Sequence, residues 1–343
     1  MRTGLMLLWL WLAAPLGLAA EREVRFFNWS DYLPAEVLER FTAETGIPVR
    51  YSTYDSNEAL YAKIKLLGGR GYDLIVPSTY FIDRMGKEGL LRPLQRDRLP
   101  NFRHLDPLHL DQPFDPGNRY SVPYLWGTTG ILINTRQFDP APIKAWADLW
   151  RPEFRNRLLL SNDMREVFHI GLRVLGYSGN TTDPEQLRQA YEKLRSLMPN
   201  VRVFNSDAPL VLYLTGEIDA GMMWSGNAYR AQQANPDFVY RCPTEGCGLW
   251  MDNLAIPAGA GNPDGAHRLI DFLLRPDIAR LIAEKTRYAS PNATAVGQLP
   301  PAMRDNPIIY PPAAVLEQGE YGTDVGPAVA LYAQYWERLK VGE

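Results

Sequence analysis

Hydrophobic and polar positions in the first third of the chain alternate between two periods. VRFFNWSDYLP holds a short apolar run typical of a strand, and PAEVLERFTAETG has apolar positions at helical spacing up to a stop at Gly46. A second strand-like run follows, then a helical pattern from Asn57 to Leu67, the buried run YDLIVPST and a helix that ends at Gly89. This order predicts β-α-β units and an open, mostly parallel sheet.

The middle and the end of the chain continue the alternation. ILINTRQF, RLLLSND, VRVFN and DAGMMWSG read as strands, with helical patterns over about 164–175 and 184–197 between them. DNLAIP predicts a further strand, and the segment after it predicts two helices that break near Pro276. No repeat or long linker interrupts the sequence, so its 343 residues predict two lobes joined by short crossing segments.

The first twenty residues and the net charge indicate where the protein is located and which partners it lacks. MRTGLMLLWLWLAAPLGLAA has one basic residue, an apolar run of about ten residues and small residues up to Ala20, as secretory signals do. A retained membrane anchor is the alternative, but the run is shorter than the ~20 residues that a span needs. We expect residues 1–20 to be a signal peptide. The formal net charge of −3 argues against a nucleic-acid partner.

Two cysteines, Cys242 and Cys247, stand in the turn-rich stretch RCPTEGCGLW. In an oxidising exported compartment such a pair favours a small local disulfide. Zinc binding needs three or four ligands, and the four histidines form no ligand-spaced cluster, so we expect no metal. A catalytic thiol stays open as an alternative, although no histidine lies nearby in the sequence.

Polar and aromatic residues stand where four of the predicted strands end. They are Trp29, Ser30 and Tyr32 in NWSDY, Ser78 and Tyr80 in PSTY, Asp163 and Glu166 in SNDMREVF, and Trp224 in MMWSGN. Ligands of open α/β sheets bind outside the carboxyl ends of the strands. These residues are therefore candidates for a binding or catalytic site.

Each candidate also has a structural explanation. Asp163 stands three residues before Glu166 ahead of a helix, which is the spacing of a capping box. The aromatic residues are equally compatible with core or loop packing. Asp252 in LWMDNLAIP is harder to explain, because an ionised carboxylate buried without a partner costs several kcal/mol. Its carboxylate must be paired or face a cavity.

Aromatic rings together with carboxylates suggest two chemistries. A sugar site stacks rings on tryptophan, and two carboxylates could then serve as the acid and the nucleophile of a glycosidase. An amine site pairs carboxylates with ammonium groups and holds methylene groups against aromatic faces. The sequence has no GxSxG, Walker or HExxH motif, so no other catalytic class is indicated.

The chain from about Val24 onward resembles the periplasmic polyamine-binding components of ABC importers. The segments that carry the resemblance include FFNWSDYLP, YSTYDSNEALYAKI, YDLIVPSTY, SVPYLWGTTGI, LGYSGNTTDP, LMPNVRVFNSD, WMDNLAIP and GTDVG. The resemblance implies a two-lobe periplasmic binding protein fold of type II, an α/β fold in which each lobe is a mostly parallel sheet flanked by helices. Lobe one would comprise residues 21–128 and 252–297, lobe two residues 129–251 and 298–343, with the ligand in the cleft between them.

The resemblance also implies the binding residues. They are Trp29, Ser30, Tyr32, Ser78, Tyr80, Asp163, Glu166, Trp224, Trp250, Asp252 and, in TRYASPN, Tyr288. The aromatic residues would line the aliphatic stem of a polyamine, and the three carboxylates would meet the amines, which suits spermidine. Tyr80 and Asn227 stand where putrescine-only members are expected to have acidic residues, so the chain resembles the spermidine-preferring branch. Gly322 departs from a glutamine that the spermidine binders have before DVG.

The resemblance further implies a periplasmic, monomeric and non-enzymatic protein without a cofactor. It would capture spermidine or putrescine and deliver it to the membrane permease subunits of an ABC importer. A secreted sugar-binding protein or glycosidase is the alternative function. A polyamine-sensing role instead of transport is another.

Overall fold

The computed structural model describes residues 23–30 and 32–342, so the expected signal peptide lies outside the described residues. The strands of the described residues belong to one sheet. They are β1 (Val24–Trp29), β2 (Val49–Tyr54), β3 (Leu74–Ile75), β4 (Ser121–Asn134), β5 (Leu158–Leu160), β6 (Val201–Phe204), β7 (Ala220–Trp224), β8 (Phe238–Arg241), β9 (Gly248–Ala255) and β10 (Glu320–Tyr321).

Helices connect and cover these strands. They are α1 (Ala35–Thr45), α2 (Asn57–Leu66), α3 (Thr79–Lys87), α4 (Met164–Val174), α5 (Pro184–Arg195), α6 (Pro209–Leu214), α7 (Ser225–Ala234), α8 (Pro263–Leu273), α9 (Pro276–Thr286), α10 (Ala293–Val296), α11 (Pro301–Arg304), α12 (Ala313–Gln318) and α13 (Val329–Val341). None of these helices is long and apolar enough to cross a membrane.

The sheet is parallel at both ends and antiparallel in the middle. Its strand order is β2-β1-β3-β9-β4-β7-β5-β6, with β8 paired to β4 and β10 to β9. Strand β1 is parallel to β2 and β3, and β5 is parallel to β6 and β7. The two long strands β4 and β9 run antiparallel between these parallel groups. The parallel β-α-β units of the sequence analysis are therefore present, and β4 and β9 join them.

Separate cores pack on the two parallel groups. Phe41 on α1 meets Phe272 on α8 edge to face at 5.3 Å in the core that covers β1. Phe168 on α4 meets Tyr332 on α13 at 5.2 Å in the core that covers β5. We call the part of the protein built around the β1 core the first half and the part built around the β5 core the second half. The division at residues 128/129, 251/252 and 297/298 stays a prediction.

Two strands differ from their predicted extent. YDLIVPST predicts a strand, but only Leu74–Ile75 pair as one, and the chain turns at once into α3. Strand β4 starts ten residues before ILINTRQF, and all but the last of its 14 residues are buried. A strand buried on both faces loses the alternation of apolar and polar positions that reveals a half-exposed strand.

Gly221 in β7 provides a test of how tightly the second half is packed. Its φ is 139°, and a Cβ atom there would lie 2.1 Å from the backbone oxygen of Leu159 on β5. Gly216 also has a positive φ, 75°, but a Cβ atom there would meet nothing within 4 Å. Gly221→Ala should lower the free energy of unfolding by about 3 kcal/mol, and Gly216→Ala by only about 1 kcal/mol. Urea denaturation of both variants measures the difference, and equal losses would contradict this packing.

Candidate functional site

A cavity of about 140 Å³ lies between the two halves. The first half contributes the end of β1, the start of α2 and the start of α3, and the second half contributes α4, the end of β7 and α7. All eleven residues named by the sequence analysis line it: Trp29, Ser30, Tyr32, Ser78, Tyr80, Asp163, Glu166, Trp224, Trp250, Asp252 and Tyr288. Their role in binding stays a prediction, but the fold brings all of them to one place.

Asp252 is buried on β9 and forms two hydrogen bonds with side chains of the first half. Its Oδ2 accepts from the hydroxyl of Tyr32 at 2.6 Å, and its Oδ1 accepts from Ser78 Oγ at 2.5 Å. Burial raises the pKa of Asp252 to about 6, although these two hydrogen bonds act to lower it. Its carboxylate is thus held by neutral donors and has the cavity in front of it.

The donor Ser78 is fixed by Asn57, the first residue of α2. The side-chain amide of Asn57 donates to Ser78 Oγ at 3.0 Å, and its Oδ1 accepts from the backbone N–H of Ser78 at 3.0 Å. Trp29 is fixed in a similar way, since its Nε1 donates to the backbone oxygen of Val76 at 2.9 Å. The segment 76–78, just before α3, therefore contributes to both a polar and an aromatic part of the cavity wall.

Glu166 is held from two strands of the second half. Its Oε1 accepts from Thr129 Oγ1 on β4 at 2.7 Å, and Nε1 of Trp224 donates to both carboxylate oxygens at 3.0 and 3.1 Å. Burial, with a contribution from the nearby charge of Asp163, raises the pKa of Glu166 to about 7. Because the carboxylate turns to these donors, it does not complete a capping box.

Asp163 is the N-cap of α4, as its spacing predicts. Its Oδ1 accepts from the backbone N–H groups of Arg165 at 2.9 Å and of Glu166 at 3.0 Å. Burial raises the pKa of Asp163, and these two backbone hydrogen bonds oppose that rise. Capping and a place in the cavity are therefore compatible for this residue.

Aromatic rings form the walls between the carboxylates. Tyr288 lies 5.3 Å from Trp250 and 5.3 Å from Tyr32, measured between ring centroids. Tyr80 adds a hydroxyl that is buried without a hydrogen-bond partner among the described residues. Burial raises the pKa of this hydroxyl well above its usual value, so it stays protonated and can donate or accept.

Gly322 and Asn227, which the resemblance singles out, both line the cavity. A Cβ atom on Gly322 would lie 3.2 Å from Cδ1 of Tyr80, so a longer side chain there would press on that ring. Asn227 is buried, and its Oδ1 accepts from Arg230 at 3.3 Å. Neither position carries a charge of its own.

Cys242 and Cys247 are free thiols in this structure. A hydrogen bond with Cys247 lowers the pKa of the Cys242 thiol, and burial opposes that shift. The disulfide between them stays a prediction. Residues 23–30 and 32–342 contain no cluster of three His, Cys, Asp or Glu that could hold a metal ion.

Several residues at or near the cavity had no signal in the sequence. Thr129, Arg165 and His169 line it, and Glu58 on α2 lies near Asp163. Burial, and secondarily the charge of Asp163, raises the pKa of Glu58 to about 8. Glu58 stands in the first turn of a helix, where an acidic residue is ordinary, and Thr129 stands in an unbroken buried strand.

The raised pKa of Asp252 predicts a pH dependence of stability in the ligand-free protein. A carboxyl whose pKa is higher folded than unfolded contributes stability that is complete below the unfolded value of about 3.9. That contribution is lost as the pH rises through about 6. Asp252→Asn removes the titration, so the free energy of unfolding of the variant relative to wild type should rise by about 1 kcal/mol from pH 5 to pH 8.

Urea denaturation at a series of pH values measures this difference. Asp305→Asn is the control, because Asp305 is paired with Arg304 at the surface and its pKa is lowered. The difference between that variant and wild type should stay constant between pH 5 and pH 8. An equally flat profile for Asp252→Asn would contradict a raised pKa.

Comparisons with known proteins extend over most of the chain. Residues 36–311 match the family model of bacterial extracellular solute-binding proteins. The spermidine/putrescine-binding periplasmic protein of Salmonella typhimurium is 51% identical, over 92% of this chain and 91% of its own. The putrescine-binding periplasmic protein SpuD of Pseudomonas aeruginosa is 35% identical, over 100% of this chain and 99% of its own.

A solved structure agrees with the architecture. The spermidine/putrescine ABC transporter substrate-binding protein of Streptococcus pneumoniae is 38% identical and superposes with a TM-score of 0.79, over 94% of this chain and 99% of its own. The predicted two-lobe type II fold is therefore confirmed. The chain belongs to the family of bacterial extracellular solute-binding proteins.

Proposed function

We propose that this protein captures polyamines, spermidine above all and putrescine as well, in the cavity between its halves and delivers them to an ABC importer. The observation that carries the proposal is the alternation of carboxylates and aromatic rings around one buried cavity. Asp252, Asp163 and Glu166 would meet ammonium groups, and the rings between them would hold the methylene stem. The names of the relatives point to the same ligands.

The electrostatics of the cavity support a cationic ligand. The carboxylates of Asp252, Glu166 and Asp163 all have raised pKa values, chiefly because burial disfavours their charged forms. An ammonium group close to each carboxylate would favour its charged form and lower its pKa again. The ligand would thus supply positive charge to Asp252 and Glu166, which are held by neutral donors, and add to that of Arg165 near Asp163.

Contacts between the halves support a closing motion. Thr79 Oγ1 of the first half donates to the backbone oxygen of Gly322 in the second half at 3.1 Å. The guanidinium of Arg165 lies 5.3 Å from the ring centroid of Tyr80 across the same gap. A ligand that touches both halves binds only the closed arrangement tightly, so it shifts the population toward that arrangement. The closed surface is what the permease subunits would recognise.

The remaining parts of the proposal follow from this function. Residues 1–20 direct export, and the mature protein acts as a monomer in the periplasm. Transport is favoured over sensing because the solved relative is named as an ABC transporter substrate-binding protein. A glycosidase is disfavoured, since the relatives are named as binding proteins and not as enzymes.

Calorimetric titration of the purified protein with spermidine at pH 7 tests the proposal, after unfolding and refolding to remove carried-over ligand. We expect one spermidine per protein and weaker binding of putrescine. Asp252→Asn should weaken spermidine binding by about 2–5 kcal/mol, since a buried ammonium would lose its ionic partner. The exposed Asp305→Asn should bind like wild type. No binding of either amine to the wild-type protein would overturn the proposal.

Glu166 should discriminate between the two ligands. If its carboxylate meets the amine that the shorter diamine lacks, Glu166→Gln lowers spermidine affinity at least tenfold more than putrescine affinity. The glutamine can still accept from Thr129 and Trp224, so the local hydrogen bonds of the variant are largely kept. Parallel titrations of both amines measure the ratio. Equal losses would remove this assignment of Glu166.

A further inference from the structure

Residues 320–323 form a short segment that is attached to the sheet at one end and to a core at the other. Its first two residues are β10, which pairs with Gly248 and Leu249 of β9. Val325, two residues after its end, is buried in the core of the second half. Gly322 lies between these attachments and lines the cavity. We call residues 320–323 the strap.

Two side chains of the second half clamp the backbone of the strap. Nδ2 of Asn180 donates to the backbone oxygen of Tyr321 at 2.8 Å, and Oδ1 of Asn180 accepts from the backbone N–H of Thr323 at 2.7 Å. Arg165 on α4 donates to the backbone oxygen of Thr323 at 3.1 Å and to Oδ1 of Asn180 at 2.9 Å. The backbone on both sides of Gly322 is thus fixed to the second half.

The first half meets the strap through the start of α3. Thr79 is 1% exposed, and its Oγ1 donates to the backbone oxygen of Gly322 at 3.1 Å. A Cβ atom on Gly322 would lie 3.2 Å from Cδ1 of Tyr80, so the ring of Tyr80 also lies against the strap. Because Thr79 and Gly322 belong to different halves, their hydrogen bond can form only while the halves are close together.

Arg165 also contacts the ring that lies against the strap. Its guanidinium lies 5.3 Å from the ring centroid of Tyr80 in the first half and 5.0 Å from that of Tyr332 in the second half. A guanidinium within about 6 Å of an aromatic ring is attracted to it. The contacts of α3 with the strap and with Arg165 therefore stabilise the closed arrangement, and they involve none of the carboxylates assigned to the ligand.

We propose that Thr79 is a positioning residue that controls how long the ligand stays bound, because its hydrogen bond to the strap joins the two halves beside the cavity. The inference rests on the proposed function. Loss of the hydroxyl would destabilise the closed arrangement relative to the open one, in which the bond to Gly322 is absent. The dissociation rate constant should therefore rise while the association rate constant stays nearly unchanged. The effect should be the same for short and long amines, since Thr79 acts through the strap.

Stopped-flow tryptophan fluorescence of the purified protein measures both rate constants, because Trp29, Trp224 and Trp250 line the cavity. Thr79→Val keeps the shape of the side chain but removes the donor, so spermidine and putrescine should each dissociate at least fivefold faster. Thr79→Ser keeps the hydroxyl and should stay within about twofold of wild type. An unchanged dissociation rate in Thr79→Val would overturn the inference, and so would a change confined to one amine.

Thr45→Val is the matched control. Oγ1 of Thr45 also donates to a backbone oxygen, that of Phe41 at 2.7 Å, but both residues lie in α1 of the first half. This variant should lower the urea midpoint of the ligand-free protein and leave both dissociation rates unchanged. Thr79→Val should speed dissociation and have a ligand-free midpoint closer to that of wild type. A midpoint lowered as much in Thr79→Val as in Thr45→Val would make the role of Thr79 structural and contradict the inference.

Asn180→Ala tests the strap from the other half, and it keeps the inference testable if circular dichroism shows that Thr79→Val does not fold. The variant frees the strap from its clamp, so both amines should again dissociate at least fivefold faster. Since both substitutions act through the strap, the double variant should release spermidine at most about twofold faster than the faster single variant.

Multiplicative effects of the two substitutions would mean that Thr79 acts on the ligand directly, and the inference would be wrong. An unchanged dissociation rate in Asn180→Ala would also overturn it. Failure of the wild-type protein to bind either amine would instead overturn the proposed function, and the inference with it.

Discussion

The antiparallel pairing of β4 with β9 is the interaction on which the rest of the molecule depends. These strands run between the two parallel groups, and each half packs its own core against one end of the sheet. Asp252 pairs with Leu125 and Gly248 with Thr129 in this ladder, so residues of the cavity lie on the strands that connect the halves. A change in the angle between the halves therefore also changes the geometry of the cavity. In the proposed function, ligand contact and closure would therefore involve the same few residues.

Burial of the cavity carboxylates disfavours their charged forms. The two neutral hydroxyl donors do not offset the free-energy cost of burying the charge of Asp252. A pKa of about 6 means that folding disfavours the charged carboxylate by about 3 kcal/mol. Glu166, with a pKa of about 7, is in the same situation. A bound polycation would offset the free-energy cost of each buried negative charge, and a neutral sugar would offset none of it. In the proposed function, selectivity for cations would come from Asp252 and Glu166, whose hydrogen-bond donors are all neutral.

The carboxylates of the cavity accept hydrogen bonds from different halves of the protein, so they lie at different positions along it. Asp252 is held by the first half, and Glu166 by strands of the second half, so the two ends of a ligand would meet different halves. Helix α4 carries both Asp163, at its N-cap, and Glu166, in its first turn. The length of a linear amine would decide how many of these positions it reaches.

The sequence by itself predicted most elements, and the eleven residues named from the strand ends and from the family resemblance all line one cavity. Helical spacing with a stop signal identified α1 and its end at Gly46, and the Asp163 spacing identified the cap of α4, because these features depend on neighbours a few residues away. Asp252 stood out because a charge within an apolar run requires a partner or a cavity.

Tertiary structure alone decided which partners those residues have. Tyr32 donates to Asp252 across 220 residues of sequence, and no local pattern encodes that contact. Thr129 and His169 lie in an unbroken buried strand and on a buried helix face, where a residue that lines a cavity looks like one that fills a core. Glu58 resembles any acidic residue in a first helical turn. Local periodicity determined the elements, whereas the packing of β4 against β9 determined which side chains share a cavity, because hydrogen bonds and burial depend on distances that sequence spacing does not fix.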